Sequence, residues 1–463
     1  MIVANYLKNK KVAVFGLARS GIAAVESLIA AEAIIYAYDD NRNSLNSLKK
    51  KSYKDLYLVH PSTWNWDALE CLVLSPGVPL THPEPNYVVK LANQHNCKII
   101  SDNEVLYLSY PDNIYYAITG TNGKSTTTSL IYHILKVADK DVQIGGNIGI
   151  GSLSLNAPSA EGIFVLELSS FQLDLAVESH VDVSIILNIT KDHIDRHGDM
   201  SGYIKAKKRI FNHQGAKDLA VIGVDDNYSL DIYNELKSIN KIGNIIPISS
   251  KKRVSGGVSV LDGILYDDIK GKNIEVPIGN LSSLKGVHNA QNIAAAFAAV
   301  SYHNIDSNTI IKALNSFVGL DHRMQYIKTL NGVDFYNDSK ATNADATEKA
   351  LTISQHIYWI IGGVPKEGGI ESLSTYFPNI SHAYIIGKAQ EEFSKTLDNK
   401  VPYTLANTLN IAINEAYDAA LNSGHKDAIV LLSPACASFD QFKSFEHRGA
   451  EFVKIVNNLM ENK

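Results

Sequence analysis

One short segment of the chain, Gly120-Thr121-Asn122-Gly123-Lys124-Ser125, combines glycines, a lysine and a hydroxyl, and Thr126 follows it directly. Between a strand and a helix, such a loop offers backbone N–H groups to a phosphate, while the lysine neutralises charge and the serine ligates magnesium. Ile118 stands where the strict GxxxxGK[ST] pattern has its first glycine, so a simple glycine turn is the alternative. The flanking strand and helix favour nucleotide phosphate binding.

A second glycine loop, Gly16-Leu17-Ala18-Arg19-Ser20-Gly21, lies in a strand–helix–strand frame that ends at Asp39-Asp40. The spacing resembles a dinucleotide-binding fingerprint, but Ala18 replaces the middle glycine and would hinder close approach of a pyrophosphate. The alternative is a tight turn with only a structural role. We interpret the loop as a site for the diphosphate or uracil part of a nucleotide-like substrate, in preference to NAD.

Ionisable side chains follow two predicted strands of the middle of the chain. Glu167 ends one strand, and the segment 188–197 (NITKDHIDRH) follows another. Carboxylates at the carboxyl ends of parallel strands face the ligand crevice, where a magnesium ligand belongs. We therefore expect Glu167 and His193 to serve a metal and substrate, and Lys191 and His197 to be solvated loop residues.

Three further polar segments, taken alone, are predicted to lie on the solvated surface. Residues 203–209 (YIKAKKR) are typical of a basic, solvated helix face. In the last third, His322-Arg323 and Asn337-Asp338-Ser339-Lys340 are interpreted as solvated loops, although Arg323 has the donor fork that suits a phosphate. Asp338 and Lys340 could serve a ribose and a phosphate.

Short apolar runs alternate with amphipathic stretches, which predicts an α/β protein of parallel sheets covered by helices. We expect three domains, at residues 1–110, 111–316 and 317–463: a Rossmann-like domain, a P-loop ATPase-like parallel sheet and a second Rossmann-like domain. Asn331-Gly332 predicts a type I′ hairpin, and residues 251–272 predict irregular or hairpin structure. The predicted strands are 12–15, 34–38, 72–74, 98–100, 115–119, 163–166, 183–187, 326–330, 333–336, 357–361, 383–386 and 429–432. The main predicted helices are 22–31, 124–136, 288–302 and 442–459.

Composition excludes several classes of protein. The 463 residues carry a net charge of -5, which gives no electrostatic reason to expect nucleic-acid or membrane binding. Three cysteines without CxxC spacing indicate neither a disulfide framework nor a zinc site, and a reducing cytoplasm fits best. We find no secretion signal and no apolar run near the ~20 residues of a membrane span.

The motifs form an ordered set that resembles the Mur ligases, most closely their D-glutamate-adding members. The set comprises the phosphate loop, residues 145–149 (GGNIG), residues 167–172 (ELSSFQ), Asp192-His193, His288-Asn289, His322-Arg323, residues 337–343 (NDSKATN) and residues 431–442 (LLSPACASFDQF). The resemblance spans all three blocks, and the last two motifs are the most specific. It implies a ligase that activates a carboxylate with ATP, through an acyl phosphate, to add D-glutamate during peptidoglycan precursor synthesis.

The resemblance also implies a role for each matching position. Lys124, Glu167, His193 and Lys207 would be catalytic, with Ser125, Glu167 and His193 on two magnesium ions and Lys207 open to carbamylation by carbon dioxide. The ATP site would comprise Gly120, Thr121, Asn122, Gly123, Lys124, Ser125, Thr126, Asn289, Asn292, Arg323, Asp338 and Lys340. The substrate site would comprise Arg19, Ser20, Asp39, Asp40, Gly77, Asn147, Thr342, Lys366, Ser438, Phe439 and Phe445. Arg19, Asp40 and Phe439 depart from the family's usual residues, and a monomer is expected.

Three other functions stay open at this point. The nearest is another ligase of the superfamily, such as a folylpolyglutamate synthetase or a Mur enzyme that adds a different amino acid. The second is a non-catalytic nucleotide-binding homologue, against which the intact Lys124, Glu167, His193 and Lys207 argue. The third is an NAD-dependent oxidoreductase, which the absence of a hydride-transfer constellation disfavours.

Overall fold

The computed structural model describes residues 1–49, 53–271, 273–278, 281, 284, 287–366 and 368–459, and excludes the side chains of Ser47, Val287, His288 and Asp345. The chain forms two compact units. The first consists of Met1–Leu281 with Val287–Ser316, and the second consists mainly of the chain from Phe317 onward. The boundary predicted near residue 110 falls inside the first unit, so the division into residues 1–110, 111–316 and 317–463 stays a prediction.

The first unit begins with a five-stranded parallel sheet in the order β3-β2-β1-β4-β5. Helices alternate with its strands, as parallel connections require. Its elements are β1 (Lys11–Phe15), α1 (Arg19–Ala30), β2 (Ile34–Tyr38), α2 (Arg42–Lys49), β3 (Leu56–Tyr57), β4 (Cys71–Leu74), α3 (Tyr87–Gln94), β5 (Lys98–Ile100) and α4 (Asp102–Ser109).

The same unit contains a nine-stranded sheet in the order β14-β13-β12-β11-β10-β9-β6-β8-β7, parallel except for the pairs β12–β13 and β13–β14. Every residue of Val183–Ile186 is buried, because helices cover both faces of a parallel sheet. The elements are β6 (Ile114–Thr119), α5 (Lys124–Val137), β7 (Val142–Gly146), β8 (Ile163–Glu167), α6 (Ser170–Asp174), β9 (Val183–Ile186), α7 (Ile194–His197), α8 (Met200–Lys208), β10 (Leu219–Gly223), α9 (Asn227–Ile239), β11 (Asn244–Ser249), β12 (Val258–Leu261), β13 (Ile264–Asp267), β14 (Ile274–Pro277), α10 (Val287–Val300) and α11 (Ser307–Ser316).

The second unit is built on a six-stranded sheet in the order β15-β16-β20-β17-β18-β19, in which only the β15–β16 hairpin is antiparallel. Its elements are β15 (Gln325–Leu330), β16 (Val333–Asn337), α12 (Ala344–Glu348), β17 (Ile357–Gly362), β18 (Ile380–Ile386), α13 (Gln390–Leu397), β19 (Tyr403–Asn407), α14 (Leu409–Asn422), β20 (Ile429–Leu432) and α15 (Phe445–Asn458).

The three tryptophans lie in two of the three sheet regions. Trp64 and Trp66 are buried in the core of the five-stranded sheet, with ring centroids 5.2 Å apart. Trp359 is fully buried in the second unit, where its indole N–H donates to the carbonyl of Ser433 at 2.8 Å. A buried indole N–H usually finds such an acceptor.

Most predicted elements are present, which confirms the α/β prediction. Asn331 and Gly332 both have positive φ (49° and 83°), as the type I′ hairpin requires, and β12 and β13 form the hairpin expected within 251–272. Lys272 lies outside the described residues. The last helix begins at Phe445 and not at residue 442, because the Ser444 hydroxyl caps it by accepting from the His447 N–H.

Six of the strands that the structure describes were missed by the sequence interpretation: β3, β7, β10, β11, β14 and β19. In the part of the chain that the structure describes, no helix combines the length and apolar character needed to cross a membrane.

Candidate active site

The phosphate loop joins β6 to α5 and is fixed at both of its glycines. Gly120 and Gly123 have positive φ, 150° and 84°, and a Cβ on Gly123 would lie 2.3 Å from the Asn292 Oδ1. Asn188 accepts from the loop twice, through its carbonyl from the Thr121 N–H and through Oδ1 from the Asn122 N–H, each at 2.8 Å. The loop is therefore held in one shape before any ligand binds.

Lys124 begins α5, and its amine folds back over the loop. Nζ donates to the carbonyls of Gly120 at 3.0 Å and Thr121 at 2.8 Å, so the positive charge lies above the helix N-terminus. Ser125 is buried, and Thr126 is half-buried beside it. Ile118 lies buried inside β6, in register with Glu167 of β8, so the strand continues through the position of the strict motif's first glycine.

Taken alone, residues 203–209 predicted a solvated helix face, and only the family resemblance predicted a catalytic role for Lys207. The solvated position is wrong for this lysine. Its side chain is 1% exposed, and Nζ donates to the Gly120 carbonyl at 2.8 Å and the Thr119 hydroxyl at 3.2 Å. The amine lies 4.7 Å from the centroid of the Tyr203 ring. Burial, reinforced by the positive charge of Lys124, holds the pKa of this amine well below its usual range. Neighbouring Lys205, by contrast, is exposed as expected.

Glu167 ends β8 and is nearly fully buried. Oε1 accepts from the Asn147 Nδ2 at 3.0 Å, whereas Oε2 is buried without a hydrogen-bond partner among the described residues. An unpartnered buried carboxylate oxygen is costly unless a cation completes its coordination. Hard oxygen donors of this kind are what magnesium prefers, so the residues present fit that ion.

His193 stands at the start of α7 with a left-handed backbone, φ 51°. Its ring is half exposed, lies 4.9 Å from the Phe171 ring, and places Nε2 3.4 Å from a carboxylate oxygen of Asp192. His197, expected in a solvated loop, is instead buried: its Nε2 and the Ser170 hydroxyl are 2.9 Å apart, and burial lowers the pKa of its ring. Lys191 is exposed, as expected.

The two asparagines of α10 lie behind the loop and are buried. Asn292 Nδ2 donates to Asn289 Oδ1 at 2.9 Å, and Asn292 Oδ1 accepts from the Thr127 hydroxyl at 3.1 Å. Gln291 extends this network by accepting from the Asn188 Nδ2 at 2.8 Å. The sequence interpretation missed Asn188 and Gln291, whose roles depend on helix α10 packing against the loop.

The second glycine loop lies at the carboxyl ends of β1, β2 and β4. Asp39 accepts from the Leu17 and Asn41 N–H groups at 2.5 and 2.7 Å, so its carboxylate caps this loop. Asp40 accepts from the Tyr87 hydroxyl at 3.0 Å. The remaining predicted members of this group are Ser20, 3.2 Å from the Ser75 hydroxyl; Arg19, which donates to the Gly149 carbonyl at 2.9 Å; and Gly77, which is exposed.

In the second unit, residues 337–340 taken alone were interpreted as a solvated loop, and only the family resemblance assigned Asp338 to the ATP site. The solvated position is wrong for this carboxylate. It is 4% exposed and accepts from the Ser433 hydroxyl at 2.8 Å and the Met324 N–H at 3.1 Å. Burial raises the pKa of its carboxyl to about 7. Arg323 is half-buried, with no described partner for its Nε, and the Lys340 amine lies 5.8 Å from the Phe445 ring.

The residues expected to bind an amino acid differ in exposure. Lys366 is exposed, Thr342 is half-buried and Ser438 is buried, while Phe439 is 74% exposed. A fully buried arginine that was missed, Arg448, holds this region. Its guanidinium donates to the carbonyls of Ser339 and Cys436 at 2.9 and 3.1 Å, and to the Ser339 hydroxyl at 3.0 Å. It therefore fixes the loops that follow β16 and β20.

Comparison with known proteins agrees with this geometry. Residues 118–300 match the Mur ligase middle domain, and residues 322–436 match the Mur ligase, glutamate ligase domain. The chain belongs to the Mur ligase family, which confirms the resemblance seen in its motifs.

Its relatives include proteins named UDP-N-acetylmuramoylalanine--D-glutamate ligase. The one from Phenylobacterium zucineum is 44% identical over 468 residues, covering 100% of this chain and 99% of that protein. The one from Rhodospirillum rubrum is 43% identical over 449 residues, covering 96% and 94%.

Solved structures share the fold at low sequence identity. UDP-N-acetylmuramate-alanine ligase MurC from Thermotoga maritima has a TM-score of 0.57 at 16% identity, covering 97% of this chain and 99% of that one. MurF from Acinetobacter baumannii has a TM-score of 0.56 at 16% identity, covering 98% and 93%. These likenesses show the fold alone.

Proposed function

We propose that this protein uses ATP to join the amine of D-glutamate to the terminal carboxylate of UDP-N-acetylmuramoyl-L-alanine, releasing ADP and phosphate, in peptidoglycan precursor synthesis. The observation that carries the proposal is the cluster at the carboxyl ends of β6 and β8. There a fixed glycine loop lies with two lysine amines and a carboxylate oxygen that has no hydrogen-bond partner among the described residues. The name of its full-length relatives supports the choice of substrates.

The reaction needs an activation step because a carboxylate is a poor electrophile. One of its oxygens would first attack the terminal phosphorus of ATP, forming a new P–O bond while the P–O bond to ADP breaks. The D-glutamate amine would then attack the acyl carbon, the C–O bond to phosphate would break, and the amine would lose a proton. Positioning and neutralisation of phosphate charge supply most of the catalysis in such transfers.

The loop residues suit the first step. Backbone N–H groups of residues 120–126 would bind phosphate oxygens, and the Lys124 amine would exchange its two carbonyl partners for phosphate oxygens. Asn292 would keep the start of α5 in place, since its Oδ1 accepts from the Thr127 hydroxyl, and Asn289 would orient Asn292 by accepting from its Nδ2. In the second unit we assign Arg323, Asp338 and Lys340 to ATP.

We assign two magnesium ions to this site. Ser125 and Glu167 would hold one, which the unpartnered Glu167 Oε2 supports, and His193 would hold the second. Bound magnesium would neutralise charge on the transferring phosphoryl group. Asn147 would keep Glu167 oriented through its 3.0 Å hydrogen bond.

We further propose that Lys207 is carbamylated. Its lowered pKa favours a neutral amine, which can attack carbon dioxide, form an N–C bond and lose a proton to give an anionic carbamate. That anion would balance the charge of Lys124 and orient a magnesium ion. Burial beneath the loop supports this assignment, because in the described part of the chain an unmodified cation there donates hydrogen bonds only to neutral oxygens.

We assign the remaining substrate contacts by position in the family pattern, although Arg19, Asp40 and Phe439 depart from its usual residues. Arg19, Ser20, Asp39, Asp40 and Gly77 would bind the uridine diphosphate, Asn147 the muramoyl part, and Thr342, Lys366, Ser438, Phe439 and Phe445 the D-glutamate. Action as a monomer is part of the same proposal. The use of ATP and a nucleotide-linked precursor supports a cytoplasmic location.

The test is phosphate release by the purified protein with ATP and UDP-N-acetylmuramoyl-L-alanine. We expect release with D-glutamate and little with L-glutamate, L-lysine or meso-diaminopimelate. Equal release with all four amino acids would overturn the assignment of D-glutamate, and release independent of any amino acid would overturn ligation.

A further inference from the structure

The chain between β4 and α3 passes close to the short helix α7, and one arginine joins them. Arg196 of α7 donates to three successive carbonyls of that segment: to Gly77 at 2.9 Å, and to Pro76 and Val78 at 3.2 Å each. Behind it, a Cβ on Gly198 would lie 2.7 Å from the His82 ring, so α7 fits closely against the same segment. Residues 76–78 therefore take their shape from α7.

The guanidinium is itself held in place by an aromatic ring. Its central carbon lies 4.4 Å from the centroid of Phe171, a separation typical of a cation–π contact. The same ring lies 4.9 Å from that of His193, three residues before Arg196. One phenylalanine thus contacts both the arginine that shapes residues 76–78 and the histidine assigned to a metal.

The hydrogen bonds of Arg196 decide what residues 76–78 offer to an anion. Carbonyl oxygens repel a diphosphate, and here all three accept from the guanidinium and are directed towards it. Gly77 is exposed, and a Cβ built on it would meet no atom within 4 Å, so its backbone remains accessible. The arginine also adds a positive charge next to this exposed backbone.

We propose that Arg196 is a positioning residue that shapes residues 76–78 to accept the diphosphate of the nucleotide-linked substrate, and that Phe171 ties this arrangement to His193. The inference deepens the proposed function and rests on it. Arg196 itself acts through the backbone of residues 76–78 and not by direct contact with the substrate.

The test is calorimetric binding of UDP and of ADP to the wild-type protein and to Arg196→Met. Three charge-assisted hydrogen bonds are lost in the variant, so we expect UDP to bind about tenfold more weakly or worse. ADP binding, through the separate glycine loop of residues 120–125, should change by less than about twofold. General damage to the first unit would instead weaken the binding of both nucleotides.

Arg253→Met is the matched control. Arg253 also stacks on an aromatic ring of the first unit, 4.3 Å from Tyr266, and forms a 3.2 Å ion pair with Glu275 in the hairpin region. Its loss should leave the affinity for UDP unchanged. Phe171→Leu, which keeps apolar bulk but removes the ring, should weaken UDP binding by about threefold.

Arg196→Lys separates shape from charge. Lysine keeps the positive charge but lacks the planar fork that serves three carbonyls and stacks on a ring, so we expect it to recover little affinity. Full recovery, or unchanged UDP binding by Arg196→Met, would overturn the inference while leaving the proposed function intact. A wild-type protein that binds no UDP would overturn both.

Discussion

The two ends of the nine-stranded sheet use the same kinds of ionisable residue in opposite ways. Before the amino ends of β9 and β10, His180 Nε2 lies 2.9 Å from an Asp218 carboxylate oxygen, and Asp182 accepts from the Tyr115 N–H at 2.8 Å. At the carboxyl ends, Lys207 donates only to neutral oxygens, and Glu167 keeps one oxygen unpartnered among the described residues.

This difference distinguishes charged residues that stabilise the fold from charged residues that bind a ligand. At the amino ends the protein supplies partners for its own charged groups, so these residues contribute to stability. At the carboxyl ends the hydrogen-bond partners of Lys207 are neutral, and one Glu167 oxygen has no partner among the described residues. Burying such groups costs free energy that a bound ligand would offset. Loss of a side chain should therefore affect catalysis at one end and stability at the other.

The largest expected effect is on Lys124→Ala. Removing the amine that lies over the loop should lower ligation by about 10³-fold, since a positioned charge at a transferring phosphoryl group contributes on that scale. Initial rates of phosphate release measure it. Lys136→Ala, at the other end of the same helix, is the control and should keep the wild-type rate; an active Lys124→Ala enzyme would contradict the assigned mechanism.

Glu167→Gln should lower the rate by about 10²-fold and raise the magnesium concentration needed for half-maximal activity. Its melting temperature should not fall, because the affected oxygen has no partner to lose. Rates across a magnesium titration, with thermal melts, test both points.

Glu104→Gln, in contrast to Glu167→Gln, should lower stability. This buried carboxylate accepts from the N–H groups of Val177 and Glu178 and from the Ser179 hydroxyl, so the change should cost about 1.5–3 kcal/mol of stability. Equal destabilisation by the two substitutions would break the comparison.

Asp338→Asn tests whether a buried carboxylate of the second unit also costs folding free energy when it is charged. The pKa of Asp338 is raised to about 7, so between about pH 4 and 7 the unfolded chain releases a proton that the folded protein keeps. This residue therefore makes stability fall as pH rises through that window. The melting temperature of the variant should rise relative to that of the wild type from pH 4.5 to 7.5. A difference in melting temperature that stays constant with pH would show that Asp338 titrates normally.

The smallest effect on activity is expected for Asp218→Asn at the amino ends. It weakens the interactions with His180 and with the Gly215 N–H, 2.6 Å away, and should cost about 1 kcal/mol of stability. The rate of ligation should stay within about twofold of the wild type. Urea unfolding and initial rates measure the two quantities, and a large loss of rate at normal stability would remove the distinction between the two ends.

The local sequence pattern predicted those site residues that come at the end of a strand or directly after it. Gly120 to Ser125 and Glu167 stand next to apolar runs, and the direction of a parallel strand places them at one edge of the sheet. The hairpin at Asn331-Gly332 was predictable for a similar reason, because few residues adopt two successive positive φ angles.

Burial set by distant parts of the chain was not predictable. Lys207 is one of three lysines on a short helix, and only its contacts with Thr119 at the end of β6 and with Gly120 distinguish it from Lys205. Asp338 is buried because Ser433, 95 residues later in the chain, donates to it from the end of β20. No local periodicity records such contacts, which also explains why Arg448 was missed.

The placement of the tryptophans gives the protein a built-in optical reporter. Trp64 and Trp66 emit from the five-stranded sheet and Trp359 from the second unit, whereas residues 111–316 contain no tryptophan. Tryptophan emission therefore gives no direct signal from the region with the phosphate loop, while circular dichroism registers its helices. A single tryptophan introduced at Tyr132, on the helix that Lys124 begins, would make melting of that region visible by emission.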